Sequence, residues 1–312
     1  MRIVFMGTPD FAVPAFNALT GAGYSVPLVV TQPDRPKGRG RKLTPPPVKL
    51  AAQAAGCEVI QPEKMTAPEV VSKIRLCQPD VFVVVAFGHI LKQAMLDIPS
   101  WGCINIHASL LPKYRGPAPI HRAIAAGERE TGVTIMRMDP GLDTGDILMM
   151  GRTPIGPEDT TADLHDRLAD MGADLLLKTL AGIGDGTVIP NVQDHASATY
   201  APLLTKADGR IDWTQPTTAI DCQVRGMTPW PGAFTVYDNK RLKIFRLRPA
   251  PGPETPVTPG TVLDGFENEL RVATGDGAVS ILELQGASGK RMDIQAFLRG
   301  TTLPPGTVFS LV

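Results

Sequence analysis

The first half of the chain alternates short apolar runs with longer segments whose apolar residues recur at helical spacing. Most of the short runs are continuous, as is typical of strands buried on both faces of a parallel sheet. We predict strands at 2–6, 25–30, 57–60, 80–86, 102–106 and 131–138. Helices are predicted at 10–19, with Asp10 as N-cap, and at 47–55, 68–77, 118–126 and 160–180. This order favours an α/β domain with a doubly wound, mostly parallel sheet.

The pattern changes after Arg210. A helix is predicted at 217–224, followed by short β-rich runs at 233–237, 241–247, 260–263, 269–274 and 279–284. Several short strands separated by turn residues favour a small antiparallel β-barrel, with the OB-fold as the leading candidate. Residues 187–210 contain polar residues, two prolines and no clear period. We therefore interpret 188–209 as a linker between a domain at 1–187 and a second domain at 210–312.

Composition narrows the class of protein. A chain of 312 residues favours two domains, and 43% hydrophobic with 20% charged residues is typical of a soluble globular protein. The formal net charge is zero, so contact with nucleic acid depends on local basic segments. Four scattered cysteines without a CxxC pair argue against structural zinc and against disulfides, and favour a cytoplasmic protein. We find no signal peptide and no apolar run near the roughly 20 residues of a membrane helix.

Two segments are strongly basic. Residues 33–49 carry one acid and six cations, and their glycines and prolines predict an irregular, flexible loop that could follow a phosphate backbone. The cations are Arg35, Lys37, Arg39, Arg41, Lys42 and Lys49. The second run, 240–248, has five cations on a predicted barrel strand, including Lys240, Arg241, Lys243 and Arg246. A solvated surface is the plainer interpretation of each run, but two runs in different domains favour one polyanion lying across both.

Three side chains suited to acyl transfer follow predicted strands. Asn105 and His107 project from the same side at the carboxyl end of one strand, where open α/β sheets bind ligands. An amide and a protonated imidazole would stabilise the oxyanion of a carbonyl that becomes tetrahedral, and histidine exchanges protons at neutral pH. Asp143, in the segment GLDTGD, could orient the imidazole and favour its charged form, or accept the proton of an attacking amine.

Other chemistries fit the sequence less well. The opening strand-turn-helix has Gly7 alone where a dinucleotide fingerprint has three glycines. Ser109 stands in HASLL and not in a G-x-S-x-G elbow, so a hydrolase triad is disfavoured and the loop from Ser109 to Pro112 is better interpreted as ligand-binding. The remaining histidines lack metal-ligand spacing, and we expect no metal.

Six stretches of the chain resemble the methionyl-tRNA formyltransferase family. They are GTPDFA at 7–12, TQPDRPKGRG at 31–40, CINIHASLLPKYRGPAPI at 103–120, TGVTIMRMDPGLDTGDIL at 131–148, RIDW at 210–213 and PWPGAF at 229–234. The central motifs alone indicate the wider group of transferases that use 10-formyltetrahydrofolate. The basic insertion, RIDW and the C-terminal β domain narrow the resemblance to the tRNA-directed members.

The resemblance implies a Rossmann-like formyltransferase domain and a C-terminal OB-like tRNA-binding domain. It implies transfer of formyl from 10-formyltetrahydrofolate, a consumed cosubstrate, to the α-amino group of methionine on initiator tRNA. By the same resemblance Asn105, His107 and Asp143 are catalytic, and Ser109, Leu110, Leu111 and Pro112 bind folate. The basic insertion would approach the acceptor arm, with Arg41 near the aminoacylated end and Lys206 close to the 3′ end.

Two alternatives stay open at this stage. One is a formyltransferase that acts on a sugar-nucleotide or ribonucleotide amine. The other is a tRNA-binding protein without enzymatic activity, against which the complete set of Asn105, His107 and Asp143 argues. Nothing in the charge or apolar pattern demands a dimer, so we expect a monomer.

Overall fold

The computed structural model describes residues 1–37, 40, 42–266, 268–287 and 289–309. The chain divides into two compact units. The first comprises Met1–Pro119, Glu130–Thr153 and His165–Ala201, and the second comprises Ile120–Arg129, Pro154–Leu164 and the chain from Pro202 onward. The segment interpreted as a linker is therefore shared, because its residues up to Ala201 cluster with the first unit.

In the part of the chain that the structure describes, nine strands precede the long helix at 161–184. They are β1 (Arg2–Gly7), β2 (Ser25–Val30), β3 (Arg35–Lys37), β4 (Lys42–Thr44), β5 (Val59–Ile60), β6 (Val81–Val85), β7 (Cys103–His107), β8 (Glu130–Arg137) and β9 (Ile147–Pro154). Seven of them form one sheet in the order β5-β2-β1-β6-β7-β8-β9. The first five in this order run parallel, and β8 is antiparallel to β7. This confirms the predicted α/β fold with a mostly parallel sheet.

The helices are α1 (Val13–Gly21), α2 (Pro47–Ala54), α3 (Pro68–Leu76), α4 (Gln93–Leu96), α5 (Pro119–Ala125), α6 (Thr161–Gly184), α7 (Thr217–Gly226) and α8 (Ile294–Leu298). Prolines lie in the first turns of α1, α2 and α3. A backbone N–H in the first turn has no acceptor within the helix, so proline removes no hydrogen bond there. The prediction that Asp10 caps the first helix is wrong. Asp10 lies in a 3₁₀ turn, Asp10–Ala12, and α1 begins only at Val13 without a side-chain cap.

The continuous apolar runs are explained by burial on both sheet faces. In β1, Ile3 and Phe5 are as fully buried as Val4 and Met6. One face packs Val4 and Met6, with neighbours in β2 and β6, against residues of α3. The chain order reverses at β1, which has β2 on one side and β6 on the other. Such a switch point opens a crevice at the carboxyl ends of the strands.

The basic insertion contains a hairpin, so the prediction that glycine and proline keep it irregular is wrong. Strands β3 and β4 pair antiparallel, with Pro36 opposite Leu43. A two-stranded ribbon has only edge strands, and there the missing N–H of Pro36 costs no ladder bond. Asp34 accepts hydrogen bonds from Lys49 at 2.8 Å and from Gln61 at 2.7 Å, which fixes the base of the hairpin.

The second unit contains an antiparallel sheet of β10 (Ala233–Tyr237), β11 (Lys240–Ala250), β12 (Leu270–Ala273), β13 (Ala278–Gln285) and β14 (Met292–Asp293). The order is β10-β11-β13-β12, and β14 pairs with β13. This curled sheet agrees with the predicted small β domain. The predicted strand at 260–263 is wrong, because only isolated bridges of Thr261 and Val262 occur there.

Candidate active site

Asn105 and His107 occupy alternate positions at the carboxyl end of β7, so the strand presents both side chains on one face. β7 lies inside the sheet, and its register with β8 pairs Asn105 with Met136 and His107 with Thr134. A strand held on both sides is a rigid support for a site. The structure thus keeps the two residues in the arrangement that their spacing predicted.

The His107 imidazole lies between two oxygen atoms. Its Nε2 is 3.0 Å from the Tyr114 backbone oxygen, and its Nδ1 is 3.6 Å from Asp143 Oδ2. A carbonyl oxygen only accepts, so Nε2 carries the hydrogen of that bond. The ring is 6% exposed. Both ring nitrogens therefore face oxygen acceptors.

Asp143 is held by its backbone as well as its carboxylate. Its φ of 53° lies in the left-handed region, where aspartate is tolerated better than most residues. The Gly116 N–H donates to Asp143 Oδ2 at 2.7 Å. Position 145 requires glycine, because a Cβ there would overlap the Arg137 carbonyl oxygen. The glycine pattern of GLDTGD is thus a requirement of this turn.

Gln193 reaches the same turn from the segment that sequence analysis interpreted as a linker. Its Nε2 donates to the backbone oxygens of Asp143 at 2.9 Å and Gly145 at 2.6 Å. Its Oε1 accepts from Arg115 Nη2 at 2.7 Å, and the same nitrogen is 3.0 Å from His195 Nδ1. Gln193 and Arg115 are almost fully buried. Sequence analysis missed both, because an isolated glutamine in an aperiodic segment gives no local signal.

The Asn105 side chain differs from those of Gln193 and Arg115, which are held by hydrogen bonds. Within the described part of the chain its amide makes no hydrogen bond. Asn105 is also only partly buried, whereas His107 is buried. Buried polar groups in proteins normally have hydrogen-bond partners. The partly exposed Asn105 amide has none among the described residues, so it can donate to an oxygen of a ligand.

The loop after His107 is tightly built. Ser109 is fully buried, and its hydroxyl donates to the Lys113 backbone oxygen at 2.6 Å. Thr134 holds the loop by donating to the Ser109 oxygen at 2.7 Å and accepting from the Leu111 N–H at 3.1 Å. Leu111 is buried, whereas Leu110 and Pro112 are half-buried. The Ser109 hydroxyl is thus engaged within the loop.

Two of the basic residues predicted to bind tRNA in the first unit, Arg35 and Lys42, lie on the strands of the hairpin. Arg35 and Lys42 are exposed, and Arg35 Nη2 donates to Gln32 Oε1 at 3.1 Å. Arg39 and Arg41, and the side chain of Lys37, lie outside the described residues. Lys49 pairs with Asp34 at 2.8 Å, so its charge is locally neutralised.

The second unit contains the other candidates. Lys206 is exposed on the 3₁₀ helix Lys206–Gly209. On β11, Lys240 pairs with Asp238 at 3.6 Å and Arg246 with Glu158 at 3.3 Å. Arg241 stacks over the Phe234 ring at 4.3 Å. Lys243 has no ion-pair or hydrogen-bond partner among the described residues. Exposed ion pairs contribute roughly 0–1 kcal/mol, so a phosphate can replace such a carboxylate partner.

Among the described residues, no group of three or more His, Cys, Asp or Glu could hold a metal ion. Over the same residues, we find no helix with both the length and the apolar character needed to cross a membrane.

The fold and this set of side chains define an α/β group-transfer enzyme. The chain belongs to the formyl transferase family: the family model for formyl transferase matches residues 1–180, and the model for the formyl transferase C-terminal domain matches residues 203–302. The methionyl-tRNA formyltransferase of Citrifermentans bemidjiense is 52% identical over 306 residues, covering 98% of this chain and 95% of the relative. That of Moorella thermoacetica is 49% identical over all 312 residues of both chains.

Solved structures share the fold at lower identity. The N-formyltransferase of Helicobacter canadensis, crystallised with folinic acid and dTDP-3-aminofucose, superposes with a TM-score of 0.66. It is 20% identical and covers 94% of this chain and 100% of its own. At that identity the likeness concerns the fold alone.

Proposed function

We infer that this chain transfers the formyl group of 10-formyltetrahydrofolate to the α-amino group of methionine on initiator methionyl-tRNA, giving N-formylmethionyl-tRNA for translation initiation. The observation that carries this inference is the 52% identity to a methionyl-tRNA formyltransferase across nearly the whole of both chains. The sugar-directed formyltransferase fold is matched at only 20% identity.

Asn105 would stabilise the negative charge that develops on the formyl oxygen by donating a hydrogen bond to it. His107, whose ring nitrogens face the Tyr114 oxygen and Asp143, would stabilise that charge through the positive charge it carries when protonated. The free Asn105 amide is available to donate to that oxygen, and the strand keeps the imidazole beside it. Such a donor contributes about 3–4 kcal/mol to the transition state by precedent. Our proposal therefore assigns to these two residues the part of the barrier that arises from charge on oxygen.

Asp143 would orient His107 and receive a proton. The carboxylate already faces Nδ1 through Oδ2, whereas its Oδ1 accepts no hydrogen bond within the described part of the chain. The amine of an aminoacyl ester is less basic than a lysine and is partly neutral at pH 7, so it needs little activation. As the new C–N bond forms and the bond to folate N10 breaks, one proton leaves the amine and one is gained by N10. Asp143 is placed to take the first, directly or through water.

The loop from Ser109 to Pro112 would shape the folate site. Ser109 and Leu111 are buried, so the half-buried Leu110 and Pro112 are the loop residues that could contact the folate. Ser109 would act by holding the loop through the Lys113 oxygen. The donor is a substrate, and the proposed chemistry needs no metal.

The basic residues would bind the acceptor arm of tRNA. Arg35, Lys37, Arg39, Arg41 and Lys42 belong to the insertion, and Lys206, Lys240, Arg241, Lys243 and Arg246 to the second unit. We propose catalysis in residues 1–187, with Gln193 supporting the site, and tRNA binding in 210–312 across the connection 188–209. We further propose a cytoplasmic monomer.

Transfer of labelled formyl from 10-formyltetrahydrofolate into methionyl-tRNA tests the function directly. We expect wild type to label initiator methionyl-tRNA and His107→Ala to be inactive while still binding tRNA. Labelling of a sugar-nucleotide or ribonucleotide amine without labelling of methionyl-tRNA would contradict the proposal. Binding of tRNA without transfer to any amine would indicate the non-enzymatic alternative.

A further inference from the structure

The loop between β7 and α5 contacts both members of the His107–Asp143 pair through its backbone. The Tyr114 oxygen accepts from His107 Nε2 at 3.0 Å, and the Gly116 N–H donates to Asp143 Oδ2 at 2.7 Å. Neither contact uses a side chain of the loop. The positions of the imidazole and the carboxylate therefore depend on the backbone path of residues 112–118.

That path is unusual at Tyr114 and at Gly116. Tyr114 has a φ of 61°, in the left-handed region that residues other than glycine rarely adopt. Gly116 has a φ of 115°, and a Cβ there would lie 2.9 Å from the Ala201 oxygen. A backbone conformation such as that of Tyr114 persists only where the surrounding structure holds it. The loop therefore depends on contacts from outside itself.

Thr199 holds the loop through three hydrogen bonds. Its hydroxyl accepts from the Tyr114 N–H at 2.8 Å, its backbone oxygen accepts from the Arg115 N–H at 2.8 Å, and its N–H donates to the Pro112 oxygen at 3.3 Å. The Tyr114 oxygen and the Arg115 N–H belong to one planar peptide group. Thr199 therefore fixes, at the N–H end, the same peptide group whose oxygen meets His107.

Ala201 extends this contact. Its N–H donates to the Arg115 oxygen at 2.7 Å, and its oxygen accepts from the Ala118 N–H at 3.2 Å. These backbone contacts are available to any residue with an N–H at position 199 or 201, whereas the hydroxyl contact is not. The side chain of Thr199 is therefore the part of the contact that a substitution can remove without changing the rest.

We propose that Thr199 is a positioning residue for formyl transfer. Its hydroxyl holds the left-handed backbone of Tyr114, so that the following peptide group presents its oxygen to His107 Nε2. This bond keeps a hydrogen on Nε2 and turns Nδ1 toward Asp143. The inference rests on the proposed function, because it concerns the imidazole that acts there on the formyl oxygen.

The test compares wild type with Thr199→Val and Thr199→Ser in the full chain. Valine has the shape of threonine but offers no acceptor to the Tyr114 N–H, whereas serine keeps the hydroxyl. Because Thr199 is exposed, neither change removes a buried side chain. Thr66→Val is the matched control, since Thr66 is exposed, belongs to the same unit and makes no side-chain hydrogen bond among the described residues.

We expect Thr199→Val to lower kcat for the formylation of methionyl-tRNA about tenfold and to leave both KM values unchanged. A misplacement of about 1 Å costs about 10²-fold, and the loss of one hydrogen bond should displace the imidazole by less. Thr199→Ser should recover most of kcat, and Thr66→Val should match wild type.

Proton NMR reports on the imidazole itself. The His107 Nε2–H is identified as the resonance that is absent from His107→Ala. We expect this proton to exchange slowly with water in wild type and in Thr199→Ser, because it is held by the Tyr114 oxygen. In Thr199→Val it should exchange faster, while the melting temperature stays close to that of wild type.

Wild-type kcat in Thr199→Val would overturn the proposal, as would an equal loss of kcat in Thr199→Ser. A raised KM at unchanged kcat would show instead that Thr199 contacts a substrate. A lowered melting temperature with an unchanged His107 resonance would show a purely structural role.

Failure of the proposed function is a separate result, in which wild type transfers no formyl to methionyl-tRNA. The exchange of the His107 Nε2–H does not depend on that activity. It therefore still decides whether the Thr199 hydroxyl fixes the imidazole.

Discussion

The Gln193 side chain donates two hydrogen bonds to the turn that contains Asp143, one to the backbone oxygen of Asp143 at 2.9 Å and one to that of Gly145 at 2.6 Å. Asp143 has positive φ, and its carboxylate faces His107. A buried glutamine 50 residues along the chain thus holds the unusual backbone from which the carboxylate projects. We infer that Gln193 is a positioning residue for the His107–Asp143 pair.

Gln193→Glu should lower kcat, by up to about 10²-fold, because displacement of a catalytic group by about 1 Å has an effect of that size. The glutamate keeps the size of the side chain and its contact with Arg115, but it turns an acceptor toward two carbonyl oxygens. Steady-state kinetics should find both KM values nearly unchanged. Gln53→Glu, on the exposed face of α2, is the matched control. Full kcat in Gln193→Glu would remove the positioning role.

Asn105→Asp tests the free amide. The substitution keeps the shape of the side chain but replaces the N–H donor with a charge that repels a developing oxyanion. We expect kcat to fall by about 10²–10³, the loss measured when one oxyanion donor is removed elsewhere. tRNA binding, measured separately, should be unaffected. A variant with normal kcat and a raised KM would instead assign Asn105 to ground-state binding.

The local pattern of apolar residues predicted most of the strands in both units. The apolar run at 25–30 and the one at 233–237 coincide with β2 and β10, because each is bounded by turn residues. β9 escaped prediction since Gly151 and Arg152 interrupt its apolar run, and only pairing with the sheet makes this segment a strand. The 260–263 run fails for the opposite reason, because it has strand-like residues but only isolated bridges.

The candidate site also has one part that local sequence predicts and another part that it does not. Their spacing within one strand predicted that Asn105 and His107 share a face, and both lie at the carboxyl end of β7. The partner of Asp143 at Gly116, and the contacts of Gln193, join residues 27 and 50 positions apart. Such pairs depend on tertiary structure, which no local period encodes. The prediction of Asp10 as a helix cap is wrong for a local reason, because a 3₁₀ turn at Asp10–Ala12 precedes α1.

Lys42 and Lys243 test the contribution of the basic segments. Each is a cation outside the ion pairs described above, one on the hairpin and one on β11. Lys42→Ala and Lys243→Ala should each weaken tRNA binding and reduce the slope of log affinity against log salt by about 1. Lys178→Ala, an exposed cation of α6, should leave the slope unchanged. An unchanged slope in either test variant would exclude that lysine from the tRNA contact.

Asp276 gives the second unit a pH-dependent element of stability. Its Oδ1 accepts from the Thr217 N–H at 2.7 Å and from the Thr217 hydroxyl at 2.8 Å, at the start of α7, where Pro216 offers no cap. These bonds hold the pKa of Asp276 below its ordinary value of 3.8. The folded state therefore binds fewer protons than the unfolded state in this range, so the stabilisation is complete above the ordinary pKa and is lost as the pH falls through the lowered one.

Asp276→Ala should lower the melting temperature of the second unit at pH 7, because α7 loses its only side-chain cap among the described residues. Calorimetric scans from pH 7 to pH 2.5 should then show that the difference in melting temperature between wild type and variant becomes smaller as the pH falls. Glu254→Ala, at an exposed carboxylate of the same unit, should follow wild type throughout. A gap that stays constant as Asp276 becomes protonated would mean that the charge of the carboxylate contributes nothing to the cap.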